Sequence, residues 1–68
     1  MTRYTIEMST EMEKVLEDLV QKEGVSTRAE VIRRAIALLR VARDEIRKGK
    51  KIAVTDEDGK VEKELVLT

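Results

Sequence analysis

The chain has 68 residues, enough for one small domain, and its 14 basic and 14 acidic residues cancel. It contains neither cysteine nor histidine, which excludes disulfides and the usual zinc ligands and removes the most common general base. We therefore expect no enzyme, no metal site and no cofactor. Because so short a chain buries only about 60% of its unfolded surface, oligomerisation is the remaining way to stabilise it.

The distribution of charge along the chain is uneven. Residues 26–51 hold nine basic and three acidic side chains, whereas residues 1–25 and 52–68 are both acidic. A basic middle segment is compatible with an anionic partner and equally with an ordinary solvated helix surface. No apolar run approaches the ~18 residues of a membrane span, and no signal-peptide pattern follows Met1. We expect a cytoplasmic protein without a membrane partner.

Residues 2–8 alternate between polar and apolar side chains, the pattern of a half-exposed β-strand. The two sets are Arg3, Thr5 and Glu7, and Tyr4, Ile6 and Met8. A single strand cannot satisfy its own backbone hydrogen bonds. This strand must therefore pair with a later segment or with the same strand of a second chain.

A first helix is predicted after Ser9 and Thr10, which are favoured N-cap residues, and it ends at Gly24. Its apolar positions have helical spacing and form one stripe. They are Met12, Val15, Leu16, Leu19 and Val20.

Ser26 and Thr27 cap a second predicted helix that extends to about Lys48, before Gly49. Two overlapping apolar stripes cover a wide arc of this helix, so we expect burial on two sides. The stripes are Ile32, Ile36 and Leu39, and Val31, Ala35, Leu38 and Ala42. Residues 50–68 return to a β-type pattern around the turn signal Asp58-Gly59. They indicate a C-terminal hairpin, with a partly disordered acidic tail as the alternative.

This order of elements leads to a resemblance over residues 2–47. The alternating segment 3–8, the cap Ser9-Thr10-Glu11 and the link 24–33 resemble the ribbon-helix-helix (Arc/MetJ/CopG-like) family. In the link, Gly24, Ser26, Glu30, Ile32 and Arg33 match the family's G-x-S-x-x-x-E-x-I-R pattern.

The resemblance implies a mainly α fold in which two chains intertwine as a homodimer. Their N-terminal strands form an intermolecular two-stranded antiparallel ribbon above four interlocked helices. Residues 1–48 would be the dimerisation and DNA-binding domain, and residues 49–68 a hairpin-like extension. The implied dimer core includes Tyr4, Ile6, Met8, Ile32, Ile36 and Leu39.

In this family the ribbon enters the major groove of double-stranded DNA, so the resemblance implies a sequence-specific transcriptional repressor. Arg3, Thr5 and Glu7 would contact bases, with Arg3 suited to guanine. Glu7 departs from the family's usual basic or neutral residue. It reads cytosine, pairs with Arg3 of the opposing strand, or marks a ribbon that binds DNA differently.

Phosphate contacts are expected at the start of the second helix, where free N–H groups and the helix dipole favour an anion. The candidates are Ser26, Thr27 and Arg28, of which the first two also suit a purely capping role. Glu30 and Arg34 have the i, i+4 spacing of a helix ion pair.

Two other functions are compatible with the sequence. One is an antitoxin whose C-terminal extension binds a toxin protein by strand addition. The other is a module that binds a small nucleotide or metabolite effector, or an oligomerising adaptor, with weak or regulated DNA binding. Pairing of hairpin edges would also join two dimers into a tetramer.

Overall fold

A computed structural model describes residues 1–67. It contains two helices followed by a two-stranded antiparallel sheet, a small mixed α/β arrangement. The elements are α1 (Thr10–Glu23), α2 (Arg28–Arg47), β1 (Ile52–Thr55) and β2 (Val61–Leu65). Both predicted helices and the predicted C-terminal hairpin are confirmed. The chain divides into two compact units, Met1–Ala35 and a second that begins at Ile36.

Local backbone chemistry sets the two ends of α1. Ser9 is the N-cap, and its Oγ accepts a hydrogen bond from the Met12 N–H at 3.1 Å. At the other end Gly24 has φ 63° and ψ 27°, in the left-handed region that glycine tolerates best. Gly24 donates to the Gln21 carbonyl and Val25 to the Val20 carbonyl. These two bonds form a Schellman motif, which satisfies carbonyls that the helix would otherwise leave unpaired.

The same rules set the limits of α2. The Thr27 Oγ1 accepts a hydrogen bond from the Glu30 N–H at 3.2 Å, so Thr27 caps the first turn. At the C-terminus Gly49 has φ 84° and donates to the Ile46 carbonyl, while Lys50 donates to the Glu45 carbonyl. The predicted end of this helix near Lys48 is therefore confirmed.

The hairpin turn is built around Asp56. Its N–H donates to the Lys60 carbonyl, and its Oδ1 accepts hydrogen bonds from the N–H groups of Asp58 and Lys60. Gly59 has φ 83°, and no other residue type in the described chain has positive φ. Asp58-Gly59 is therefore not a two-residue type I′ turn, in which both central residues have positive φ. It belongs to a three-residue loop that ends in a left-handed glycine.

The apolar side chains of residues 1–67 are mostly exposed. Among the described residues only Leu16, Val31 and Ala42 are buried apolar residues. A single copy therefore buries too little apolar surface to form a normal core.

The predicted N-terminal strand has no partner strand in the described chain. The backbone groups of residues 1–8 form no hydrogen bond with another described residue, so pairing with a later segment does not occur. Pairing with a second copy stays a prediction.

Candidate nucleic-acid interface

The N-terminal segment presents its apolar side chains to the two helices of the first unit. Tyr4, Ile6 and Met8 line a shallow cleft of ≈ 340 Å³. The helices contribute Glu13, Leu16, Arg28, Ala29 and Ile32 to this cleft. Exposure falls from 85% at Tyr4 to 56% at Ile6 and 38% at Met8. The three side chains therefore lie along the cleft without being buried in it.

The alternate residues Arg3, Thr5 and Glu7 do not line this cleft. All three are exposed, and none forms an ion pair or a side-chain hydrogen bond with another residue in the range 1–67. The alternation predicted from the sequence thus separates an apolar set from a polar set. The polar set presents one guanidinium, one hydroxyl and one carboxylate that are available to a ligand.

The three predicted phosphate contacts lie together at the start of α2. Thr27 uses its hydroxyl as the helix cap, and Ser26 and Thr27 are both exposed. Capping by a hydroxyl leaves other N–H groups of the first turn available, and these favour an anion. Ser26 and Thr27 are therefore compatible with both capping and a phosphate contact.

Arg28 is bound by α1. Its Nε donates to the Glu17 Oε1, and its Nη2 lies 3.7 Å from the Glu13 Oε1. The side chain of Arg28 is nevertheless 58% exposed. The sequence did not indicate the two glutamates as part of this site. A signal existed, because Glu13 and Glu17 have the i, i+4 spacing that places two carboxylates on one helix face.

The predicted Glu30–Arg34 ion pair is wrong. Glu30 pairs instead with Arg33, at 2.6 Å between Oε1 and Nη1, and Arg34 pairs with Glu23 of α1 at 3.3 Å. The i, i+3 and i, i+4 neighbours of a helical residue are almost equally close, so a partner on α1 decides where Arg34 points. Arg34 and Arg28 thereby connect α1 to the first turns of α2.

The remaining ion pairs of the described chain lie outside this interface. Asp18 and Lys22 pair at 2.9 Å on α1, and the hydrogen bond and charge of Asp18 raise the pKa of Lys22. In the second unit Lys48 and Lys50 both pair with Glu45. The Arg43 Nη1 lies 3.5 Å from the Leu67 carbonyl oxygen.

Comparisons of the chain with protein-family models, with curated proteins and with solved structures give no significant match. The resemblance to the ribbon-helix-helix family therefore stays a prediction based on the residues quoted above. Within residues 1–67 no group of three or more acidic side chains is placed to hold a metal ion. Neither α1 nor α2, the helices of this described range, is long and apolar enough to cross a membrane.

Proposed function

We propose that two copies of this chain form a ribbon-helix-helix dimer that binds double-stranded DNA in a sequence-specific manner as a transcriptional repressor. The observation that supports this most is the N-terminal segment. Its apolar side chains lie along the α1–α2 cleft, its polar side chains have no partner in residues 1–67, and its backbone is unpaired. Antiparallel pairing of two such segments would satisfy the backbone and create a two-stranded ribbon with six polar side chains on one face.

The exposed apolar side chains support the dimer, because a second copy would cover surface that a single chain leaves in contact with water. The exposed apolar side chains of α2 include three of the predicted stripe residues. These are Ile36 at 62%, Leu38 at 72% and Leu39 at 50% exposure.

The chemistry of the side chains indicates which of them would contact bases and which would contact phosphates. A ribbon fits the major groove, where Arg3 can form a bidentate contact with guanine O6 and N7. Thr5 can hydrogen bond to several bases, and Glu7 can accept from cytosine N4. Ser26, Thr27 and Arg28 at the start of α2 would contact phosphates and fix the position of the dimer without reading sequence.

The test begins with selection of a preferred duplex from random sequences, followed by affinity measurements at stated salt. Arg3→Ala is expected to weaken binding to the selected duplex by ~1–3 kcal/mol and to relax preference at one base position. Lys22→Ala is the control, because it removes one exposed basic charge from α1, outside the N-terminal segment. Equal losses for Arg3→Ala on all sequences, or no selected sequence at all, would contradict the proposal.

The hairpin gives a specific reason to test the antitoxin function as a second candidate. Val61, Leu65 and Val66 are exposed at 62%, 44% and 77%, so the folded extension presents apolar side chains to a partner. If the extension neutralises a toxin encoded beside it, Val66→Lys should abolish rescue of cell growth and leave DNA affinity unchanged. If the neighbouring gene product inhibits growth and the wild-type chain does not relieve that inhibition, the antitoxin function is contradicted.

The two free edges of the hairpin differ in their capacity to join dimers into a tetramer. If two copies of β1 pair antiparallel about a two-fold axis at Ala53, Ile52 of one copy lies opposite Val54 of the other. If two copies of β2 pair in the same way about Lys63, Glu62 lies opposite Glu64. Like charges directly opposite each other destabilise a strand pair. We therefore assign the tetramer contact to β1. Sedimentation equilibrium should show tetramers that Ala53→Lys removes, and a wild-type protein that stays dimeric at high concentration would exclude this contact.

A further inference from the structure

The strongest unexplained feature is the charge around Arg28. The carboxylates of Glu13 and Glu17 both pair with the guanidinium of Arg28. These three side chains together have a formal charge of −1, although a phosphate contact is expected at this position. An anion that approaches the start of α2 meets Arg28 already paired. Both glutamates lie on α1, one helical turn apart, and both reach the same guanidinium.

The ion pairs are exposed and therefore exchangeable. The side chains of Arg28, Glu13 and Glu17 are 58%, 54% and 46% exposed. Exposed pairs of this kind change an equilibrium by less than about tenfold, because water and salt screen them. A phosphate that adds contacts elsewhere on the protein can replace such a partner. The Arg28 Nη1 forms no hydrogen bond with a described residue, which leaves one side of the guanidinium open to an incoming oxygen.

We propose that Glu13 and Glu17 mask Arg28 in the free protein, and that DNA binding exchanges their carboxylates for a backbone phosphate. This inference rests on the proposed DNA-binding function and adds to it a residue pair that lowers affinity. The mask weakens contacts to any sequence, because phosphates are common to all of them. It leaves base recognition to the N-terminal segment, so it raises the share of the affinity that depends on sequence.

A double-mutant cycle on the full chain tests the mask. Four proteins are compared on one duplex at low salt: the wild type, Glu17→Gln, Arg28→Ala and the double variant. We expect Glu17→Gln to raise affinity about three- to tenfold when Arg28 is present and less than twofold when it is absent. Gln retains helix propensity and nearly the same shape, and circular dichroism verifies that each variant is folded.

A neighbouring residue supplies the matched control. Asp18→Asn also removes one exposed carboxylate from α1, but this carboxylate pairs with Lys22. It should change affinity by the same small factor with and without Arg28, since it only reduces general repulsion. If Glu17→Gln behaves like Asp18→Asn, the mask is refuted. If Glu17→Gln weakens binding, the glutamate positions Arg28 for DNA, and the mask is equally refuted.

The salt dependence of binding is a second readout. A freed carboxylate takes up a cation, which offsets the counterion that Arg28 releases from DNA. Glu17→Gln should therefore steepen the slope of log affinity against log salt by up to ~1 per protomer. An unchanged slope in a variant that binds more tightly contradicts the exchange. Additive effects in a protein that still binds DNA refute the mask alone, whereas absence of binding by every variant refutes the proposed function.

Discussion

Glu7 places a carboxylate on the same face of the N-terminal segment as Arg3 and Thr5. It is exposed and forms no ion pair among residues 1–67, so its own chain does not compensate its charge. In a major groove this charge is repelled by the phosphates on both sides. This repulsion would lower the affinity for DNA unless Glu7 accepts a hydrogen bond from a base or pairs with Arg3 of the second strand.

Removal of that charge is therefore informative. Glu7→Gln is expected to raise affinity for DNA of unrelated sequence several-fold at low salt, because each dimer loses two negative charges next to phosphates. Fluorescence anisotropy with a labelled random duplex measures the change. Glu57→Gln, in the exposed hairpin turn, is the control and should have a smaller effect. Equal affinities for Glu7→Gln and the wild type would place Glu7 away from the groove.

Side chains whose partners lie on another element are the part of the site that the sequence did not predict. Arg28 was correctly placed at the start of α2, but its contacts with Glu13 and Glu17 depend on how α1 approaches it. The exposure of Arg3, Thr5 and Glu7 was predictable, because a strand of period two places alternate side chains on one face whatever its neighbours are. Tyr4, Ile6 and Met8 were expected in a dimer core, and in one chain they line the cleft at 85%, 56% and 38% exposure.

The helices were predictable at their ends because caps and stops act within a few residues. Ser9, Thr27 and Gly49 lie where local hydrogen bonding requires them. The hairpin was also predictable, since Asp56 and Gly59 satisfy a turn whose flanking residues alternate. The N-terminal strand is the exception. Its alternation predicts a strand, but residues 1–8 form none in a single chain, and pairing with a second copy stays a prediction.

Gly24 tests the contribution of these local signals to stability. A Cβ at this position would meet nothing within 4 Å, so substitution acts through the backbone alone. Gly24→Ala is expected to lower the free energy of unfolding by about 1–2 kcal/mol per protomer, because φ 63° is strained for alanine. Gly24→Asn should lose less, since asparagine tolerates this region better. Urea denaturation at fixed protein concentration compares the three proteins. An alanine variant as stable as the wild type would show that α1 does not need this cap.

At the scale of the whole molecule, residues 1–67 contain three buried apolar residues and a much longer set of exposed ones. We therefore propose that a single copy is unstable and that a second copy covers this surface. Folding and association should therefore be one process, and stability should increase with protein concentration by mass action.

Leu39 tests whether folding of the chain depends on association of two copies. It is 50% exposed in one chain, so lysine at this position has room in an isolated copy, but the proposed dimer would bury its charge. Leu39→Lys is expected to remove both the dimer and most helical circular dichroism at low micromolar concentration. Asp44→Lys, at an exposed polar position of α2, should leave both intact. A Leu39→Lys protein that sediments as a folded monomer would rule out the coupling of folding to association.

Tyr4 is the single aromatic residue of the chain, and tryptophan is absent. All intrinsic ultraviolet fluorescence of the protein therefore originates from one phenol ring in the N-terminal segment, where it is 85% exposed. Association of two segments would withdraw both rings from solvent and slow their rotation. The emission anisotropy of the unlabelled protein should thus report on this segment alone, even in titrations where the helical signal does not change.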